Sequence, residues 1–258
     1  MIAALTALTE LAGPTALAAF AVFLRVGAAM ALLPAFGEQT VPARIKLMVA
    51  FGFTAVVAPS VVGELPALSA QEVAGRLLLS ETIIGLALGA VLRLFIITLQ
   101  IAGTMAAQSV SISQIMGGAG VDPQPAIGHI MVVAGLAIAV ILGLHVKIAQ
   151  YLIYSYELMP PGKLPVPSDL LTWGVARVAR AFALGFGLAM PFVITSLLYN
   201  LTLGVINRAM PQLMVAFVGA PAITMGGLLL LAISLPLMLQ VWIGAMDTFL
   251  ANPVGDLP

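Results

Sequence analysis

Residues 209–246 read AMPQLMVAFVGAPAITMGGLLLLAISLPLMLQVWIGAM, without one charged side chain. As one helix this run would be about 57 Å long, against roughly 30 Å of hydrocarbon in a bilayer. A single straight span does not fit. Either part of the run lies outside the bilayer against protein, or Pro211, Pro221 and Pro236 bend it. A second charge-free run covers 181–207, and the third and fifth apolar segments also exceed one span. Apolar elements of this length point to an all-α, polytopic membrane protein of long, tilted helices packed in a larger complex.

Composition agrees. Of 258 residues, 62% are hydrophobic and 8% charged, where a water-soluble domain carries about 25% charged residues. Ten basic and ten acidic groups cannot wet the surface of a 26.6 kDa globule. The outer flanks must therefore meet lipid or the apolar flanks of other subunits. The net charge of zero provides no field for nucleic acid. The absence of cysteine excludes disulfides, thiol catalysis and Cys-based metal sites. The N-terminus has no basic region before its first charge, Glu10, so the expectation is a chain inserted without signal cleavage.

Working outward, the pattern predicts a first helix over 11–33, stopped by Pro34-Ala35-Phe36-Gly37, and a second over 43–57, ended by Pro59 and Gly63-Glu64-Leu65-Pro66. Ser69 and Glu72 have the spacing of a capping box for a third helix reaching about Ser111. Asp122-Pro123 opens a fourth, expected to run to Tyr156. Residues 159–167, with four prolines, form the clearest linker. The fifth helix starts near Asp169.

Arg25, Glu81, Arg93, Lys147, Arg177 and Arg180 lie inside otherwise apolar segments. A charge at the bilayer centre costs at least about 2.5–3.5 kcal/mol, so such groups pair or face water. Pairing between helices or subunits is the leading reading, ahead of a hydrated path. His129 and His145 have no carboxylate at metal-ligand spacing, and no nucleophile–base or phosphate-binding motif stands in a usable context. No catalytic, cofactor or metal residue is assigned. Spacings such as Gly85…Gly89 belong to close helix packing.

Several segments, in order, resemble the FliR family of flagellar biosynthetic proteins, whose virulence-secretion counterparts are the SctT proteins. They are Arg25-Val26-Gly27, Leu33-Pro34-Ala35-Phe36-Gly37, Val41-Pro42-Ala43-Arg44-Ile45-Lys46, Glu81-Thr82-Ile83-Ile84-Gly85-Leu86 and Gln108…Asp122-Pro123. Gly143-Leu144-His145, Ser155-Tyr156…Pro160-Pro161-Gly162 and Leu203–Gln212 complete the set. Their order across nearly the whole chain carries the resemblance. It implies a pore-forming, non-enzymatic subunit of a type III protein-export gate in the bacterial inner membrane and flagellar basal body. The implied partners are FliP-like and FliQ-like subunits, FlhB- and FlhA-like membrane proteins, unfolded secreted polypeptides and membrane lipid. The implied fold is a FliP-like part over 1–160 joined to a FliQ-like helical hairpin over 161–258, and much of such an assembly stands clear of the lipid.

The resemblance also maps a pore-plugging loop onto about 110–121. Read from residues alone, this is a Gly-rich turn between helices. With the resemblance, Val110, Ile112, Ile115 and Met116 become apolar side chains at a constriction, which drives out water and stops ions. Gly117 and Gly118 give it freedom to swing aside. The loop has no aromatic residue, so the seal would be aliphatic. Asn207, Arg208, Pro211 and Gln212 read both as a helix end with its carbonyls capped and as a hairpin turn at a subunit contact. The competing reading is a small-solute secondary transporter, which calls for inverted repeats that the sequence does not display.

Overall fold

A computed structural model describes residues 2–38, 41–64, 77–110, 126–210 and 215–255. Among them are seven α-helices and no strand: α1 (Ile2–Met30), α2 (Ala43–Val61), α3 (Leu78–Val110), α4 (Ala126–Ile141), α5 (Leu144–Leu158), α6 (Pro167–Ala209) and α7 (Val215–Ala251). Four of them, α2, α3, α6 and most of α7, are long and apolar enough to cross a membrane; α4 and α5 together make a possible fifth, broken span. The chain is an all-α polytopic membrane protein.

The described residues fall into two units. The first comprises Met1–Leu94, Val140–Val178 and Phe249–Pro258. Its buried side chains include Val22, Val26 and Met30 of α1, Val57 of α2, Ile84 and Leu88 of α3, and Ile148 and Leu152 of α5. Phe23 of α1 stacks on Phe51 of α2 with ring centroids 4.7 Å apart. Helix α3 lies almost backbone to backbone on α1, because a Cβ on Gly85 would collide with the Arg25 carbonyl and one on Gly89 with the Ala29 carbonyl. The Gly85…Gly89 spacing thus serves close helix packing.

The second unit comprises Phe95–Ala139 and Ala179–Thr248. Here Gly103 of α3 meets the backbone of Gly128 on α4, and Gly135 faces Leu99, Leu239 and Trp242. Trp242, fully buried, donates its indole N–H to the Phe95 carbonyl at 2.8 Å. Thr98 Oγ1 donates to the Ala181 carbonyl at 3.3 Å. In low dielectric these few polar bonds are worth making, since a buried indole N–H or hydroxyl without a partner has no water to turn to.

Element boundaries differ from the expectations in instructive ways. Helix α1 ends at Met30 within a turn of the predicted stop, but α2 continues through Pro59 to Val61. A proline there forfeits one hydrogen bond close to a helix end, where little remains to be broken. The predicted fourth helix is two: Gly143, with φ +79°, interrupts it and begins α5. The apolar pattern runs on across this break, and only the glycine, free to adopt positive φ, signals it. The proposed capping pair Ser69 and Glu72 lies outside the described residues. Helix α7 passes through Pro221 and Pro236 without ending, and at 43 and 37 residues α6 and α7 extend about 65 and 55 Å at 1.5 Å per residue. Much of their surface is apolar and exposed, including Phe182, Phe186, Leu197 and Leu201 on α6 and Leu228, Ile233 and Leu237 on α7.

The turn after α1 holds a strained residue. Ala35 adopts φ +65°, the left-handed region. Gly37 N–H donates to the Leu33 carbonyl at 2.7 Å, and Lys46 Nζ donates to the Gly37 carbonyl at 3.0 Å. A left-handed Ala costs about 1–2 kcal/mol. Ala35→Gly, partly offset by its more flexible unfolded chain, is expected to raise stability by up to about 1 kcal/mol. Denaturation in detergent followed by circular dichroism reads the change, and an unaltered or lowered midpoint contradicts it.

Candidate functional site: the buried Arg25–Glu81 hub

Three of the quoted segments meet at one point in the first unit. Arg25, on the inner face of α1, is completely buried, as is Glu81 in the first turn of α3. Arg25 Nε donates to Glu81 Oε2 at 2.7 Å. Its Nη1 donates to the Ser155 carbonyl and hydroxyl at 3.0 and 3.1 Å, and its Nη2 to the Met159 carbonyl at 2.8 Å. The guanidinium lies 3.8 Å from the centre of the Tyr156 ring, an attraction that strengthens out of water. Among the described residues the Tyr156 hydroxyl has no hydrogen-bond partner, so its ring face is the working part. Glu81 Oε1 accepts the Gly162 N–H at 3.1 Å, at a glycine with φ +73°.

Arginine suits this place because its planar fork serves several acceptors at once, which a lysine ammonium does not. The ion pair is therefore more than two charges neutralising one another. It ties α1, α3, the end of α5 and the start of the proline-rich linker into one cluster. The prolines of that linker have no N–H to offer, and side chains supply what secondary structure cannot.

A second anchor lies in the same unit. Trp173 Nε1 and Arg177 Nη2, one turn apart on α6, both donate to the Pro253 carbonyl, at 3.0 and 2.7 Å. Arg177 also lies 5.1 Å from the Phe249 ring centre. Arg93 pairs with Glu38 in a half-exposed salt bridge. Lys147 is half-buried on α5 and Arg180 exposed on α6, and both have interaction partners. The six charges singled out in the sequence do not form one cluster: Arg25 and Glu81 meet each other, while Arg93 pairs with Glu38 and Arg177 turns to Pro253.

Asn207 and Arg208 are exposed in the last turn of α6, which the Met210 N–H closes on the Ile206 carbonyl at 2.8 Å. Pro211 and Gln212 lie outside the described residues. Val110 is the last residue of α3, and Ile112, Ile115, Met116, Gly117 and Gly118 also lie outside them. Among the described residues no three His, Asp or Glu side chains gather as a metal site. Sequence reasoning missed Glu38, Ser155, Met159, Gly162 and Pro253 as polar partners. Three of these, Met159, Gly162 and Pro253, act only through backbone atoms, which carry no residue signature. Ser155 and Gly162 did stand in a quoted segment, without a role.

The profile of the family described as "Bacterial export proteins, family 1" matches residues 16–249. The chain belongs to this family. As a bacterial export protein it is 34% identical to the flagellar biosynthetic protein FliR of Caulobacter vibrioides over 86% of this chain and 89% of that one. It is 27% identical to the FliR of Escherichia coli over 91% and 92%, and 29% identical to that of Bacillus subtilis over 78% and 79%. The resemblance first seen in short ordered segments therefore extends along most of this export protein. Those of its segments that touch Arg25 and Glu81 form the centre of its first unit.

Proposed function

We propose that this chain is a pore-forming, non-catalytic subunit of the flagellar type III protein-export gate. It assembles with FliP- and FliQ-type subunits, alongside FlhB- and FlhA-like proteins, and conducts unfolded flagellar polypeptides across the bacterial inner membrane at the basal body. The observation that carries the reading is the near full-length match to relatives named flagellar biosynthetic protein FliR. The exposed apolar flanks of α6 and α7 support it, since they call for lipid or neighbouring subunits.

In this reading residues 1–160 are the FliP-like region and 161–258 the FliQ-like hairpin, turning at Asn207–Gln212. Helices α6 and α7 line one small pocket together through Phe192 and Thr195 on one and Ile223 and Leu230 on the other, as the two arms of a hairpin do. The 110–121 loop is the plug, where aliphatic side chains keep the passage dry.

Removing residues 112–118 from the chromosomal gene tests the plug. The expected result is an inner membrane that leaks ions, read by a membrane-potential dye, together with altered secretion of flagellar subunits. Unchanged ion leakage and export would exclude the role. The assembly itself is tested by affinity purification, which is expected to bring down FliP- and FliQ-like proteins.

A further inference from the structure

Beside the proline-rich linker, within the first unit, lies a half-open groove of about 480 Å³. Its walls are almost wholly apolar and include Leu88, Leu164, Val166 and Trp173. Leu164 and Val166 are 60% and 57% exposed, so no described part of the chain covers them. Two charged residues also line it, Lys163 and Asp169. Both are exposed, and among the described residues they do not pair with one another. Lys163 makes no other ion pair there, while the Asp169 carboxylate accepts a hydrogen bond from the adjacent Ser168 hydroxyl at 3.2 Å.

We propose that this groove binds one phospholipid whose headgroup carries both a phosphate and a primary ammonium. One of its two acyl chains lies along the apolar wall past Trp173 while the other stays outside the groove, the phosphate meets Lys163 and the ammonium donates to Asp169. A volume of this size is in the range of small-ligand sites, which combine an apolar lining with a few placed polar groups. Charge selects the headgroup. A single cation beside an anion suits a zwitterion, whereas a purely anionic headgroup would be repelled by Asp169. A quaternary ammonium has no N–H to donate.

The linker joins the end of α5 to the start of α6, and Glu157, Lys163 and Asp169 stand in or beside it, charges of the kind that meet lipid headgroups together with an amphipathic Trp side chain. A lipid held in a groove travels with the protein even where an assembly stands clear of bulk lipid. The inference does not depend on the plug or on the gate reading.

The test uses the membrane assembly containing this chain, purified in detergent, with Trp fluorescence as the readout. The chain has two tryptophans. Trp242 is fully buried, while Trp173 lines the groove. Dibrominated phosphatidylethanolamine is expected to quench at roughly twofold to fivefold lower mole fraction than dibrominated phosphatidylglycerol, the discrimination exposed charge pairs provide. Trp173→Phe should abolish the difference between the two lipids, whatever tryptophans other subunits of the assembly carry. The double variant K163Q/D169N, which changes only exposed side chains, should keep the quenching and lose the headgroup preference. Equal quenching by both lipids in the unaltered protein, or a headgroup preference that survives in Trp173→Phe or in K163Q/D169N, would overturn the proposal. So would a Trp173 that neither brominated lipid nor an aqueous quencher reaches, which would mean that a neighbouring polypeptide fills the groove.

Discussion

Arg25→Met strands the Glu81 carboxylate in a dry core, and the variant is expected to lose about 3–5 kcal/mol of stability, the cost of an uncompensated buried charge. Glu81→Met, which strands the guanidinium instead, should cost a similar amount. The double variant R25M/E81M is the informative one. With both charges gone the desolvation penalty vanishes, and an apolar replacement of a buried pair is often neutral. Here it still leaves the Met159 carbonyl and the Gly162 N–H without the partners they have now, at about 1–3 kcal/mol for each group that stays buried and unsatisfied. The double variant should therefore be no worse than either single one, far from their sum. Unfolding by SDS titration, followed through helical circular dichroism, measures all three. Additive losses would mean that the two residues act independently, contrary to the geometry. A second readout is local: with the linker released, trypsin cleavage after Lys163 should quicken in each variant.

The second large effect is asymmetric and sits on the crossing of α3 and α4. A Cβ on Gly103 would fall on the Gly128 backbone, whereas a Cβ on Gly128 meets its nearest neighbours at an ordinary 3.7 Å. Gly103→Ala must push the helices apart, and overpacking of this kind costs about 1–3 kcal/mol, sometimes more. Gly103→Leu should prevent the two helices from packing at all. Gly128→Ala is expected to be neutral, or stabilising by up to about 1 kcal/mol, since alanine loses less conformational freedom in a helix than glycine. The same SDS titration compares them, and equal effects of the two alanine substitutions would contradict the packing described. The crossing lies on α3, which ends at Val110 just before the segment proposed as the plug, so export in cells carrying Gly103→Ala is also expected to fall.

Most of the architecture was legible because hydrophobic length is a local property. Charge-free runs, prolines and glycines mark helices and their ends without knowledge of what packs where. Ends that depend on one backbone angle were not legible. Gly143 stands among apolar residues that continue the helical pattern, and α2 runs past Pro59 because so little helix follows it. For the site, buried charges could be named from their cost in an apolar helix. Their partners could not. Arg25 and Glu81 lie 56 residues apart, and of the remaining acceptors in the hub two are main-chain carbonyls that any residue type could provide.

What the sequence determined by itself is the class of the protein and its kinship: long apolar helices that demand lipid or sister subunits, and ordered segments shared with the bacterial export family. Only the tertiary structure decided that Arg25, Glu81 and the 155–162 segment form one cluster, that Arg177 turns to Pro253, and that Gly103 rather than Gly128 is the intolerant partner. The reason is physical. Burial free energy depends on composition along the chain, while the energy of a buried ion pair or a backbone contact depends on distances between residues far apart in sequence, and folding alone sets those.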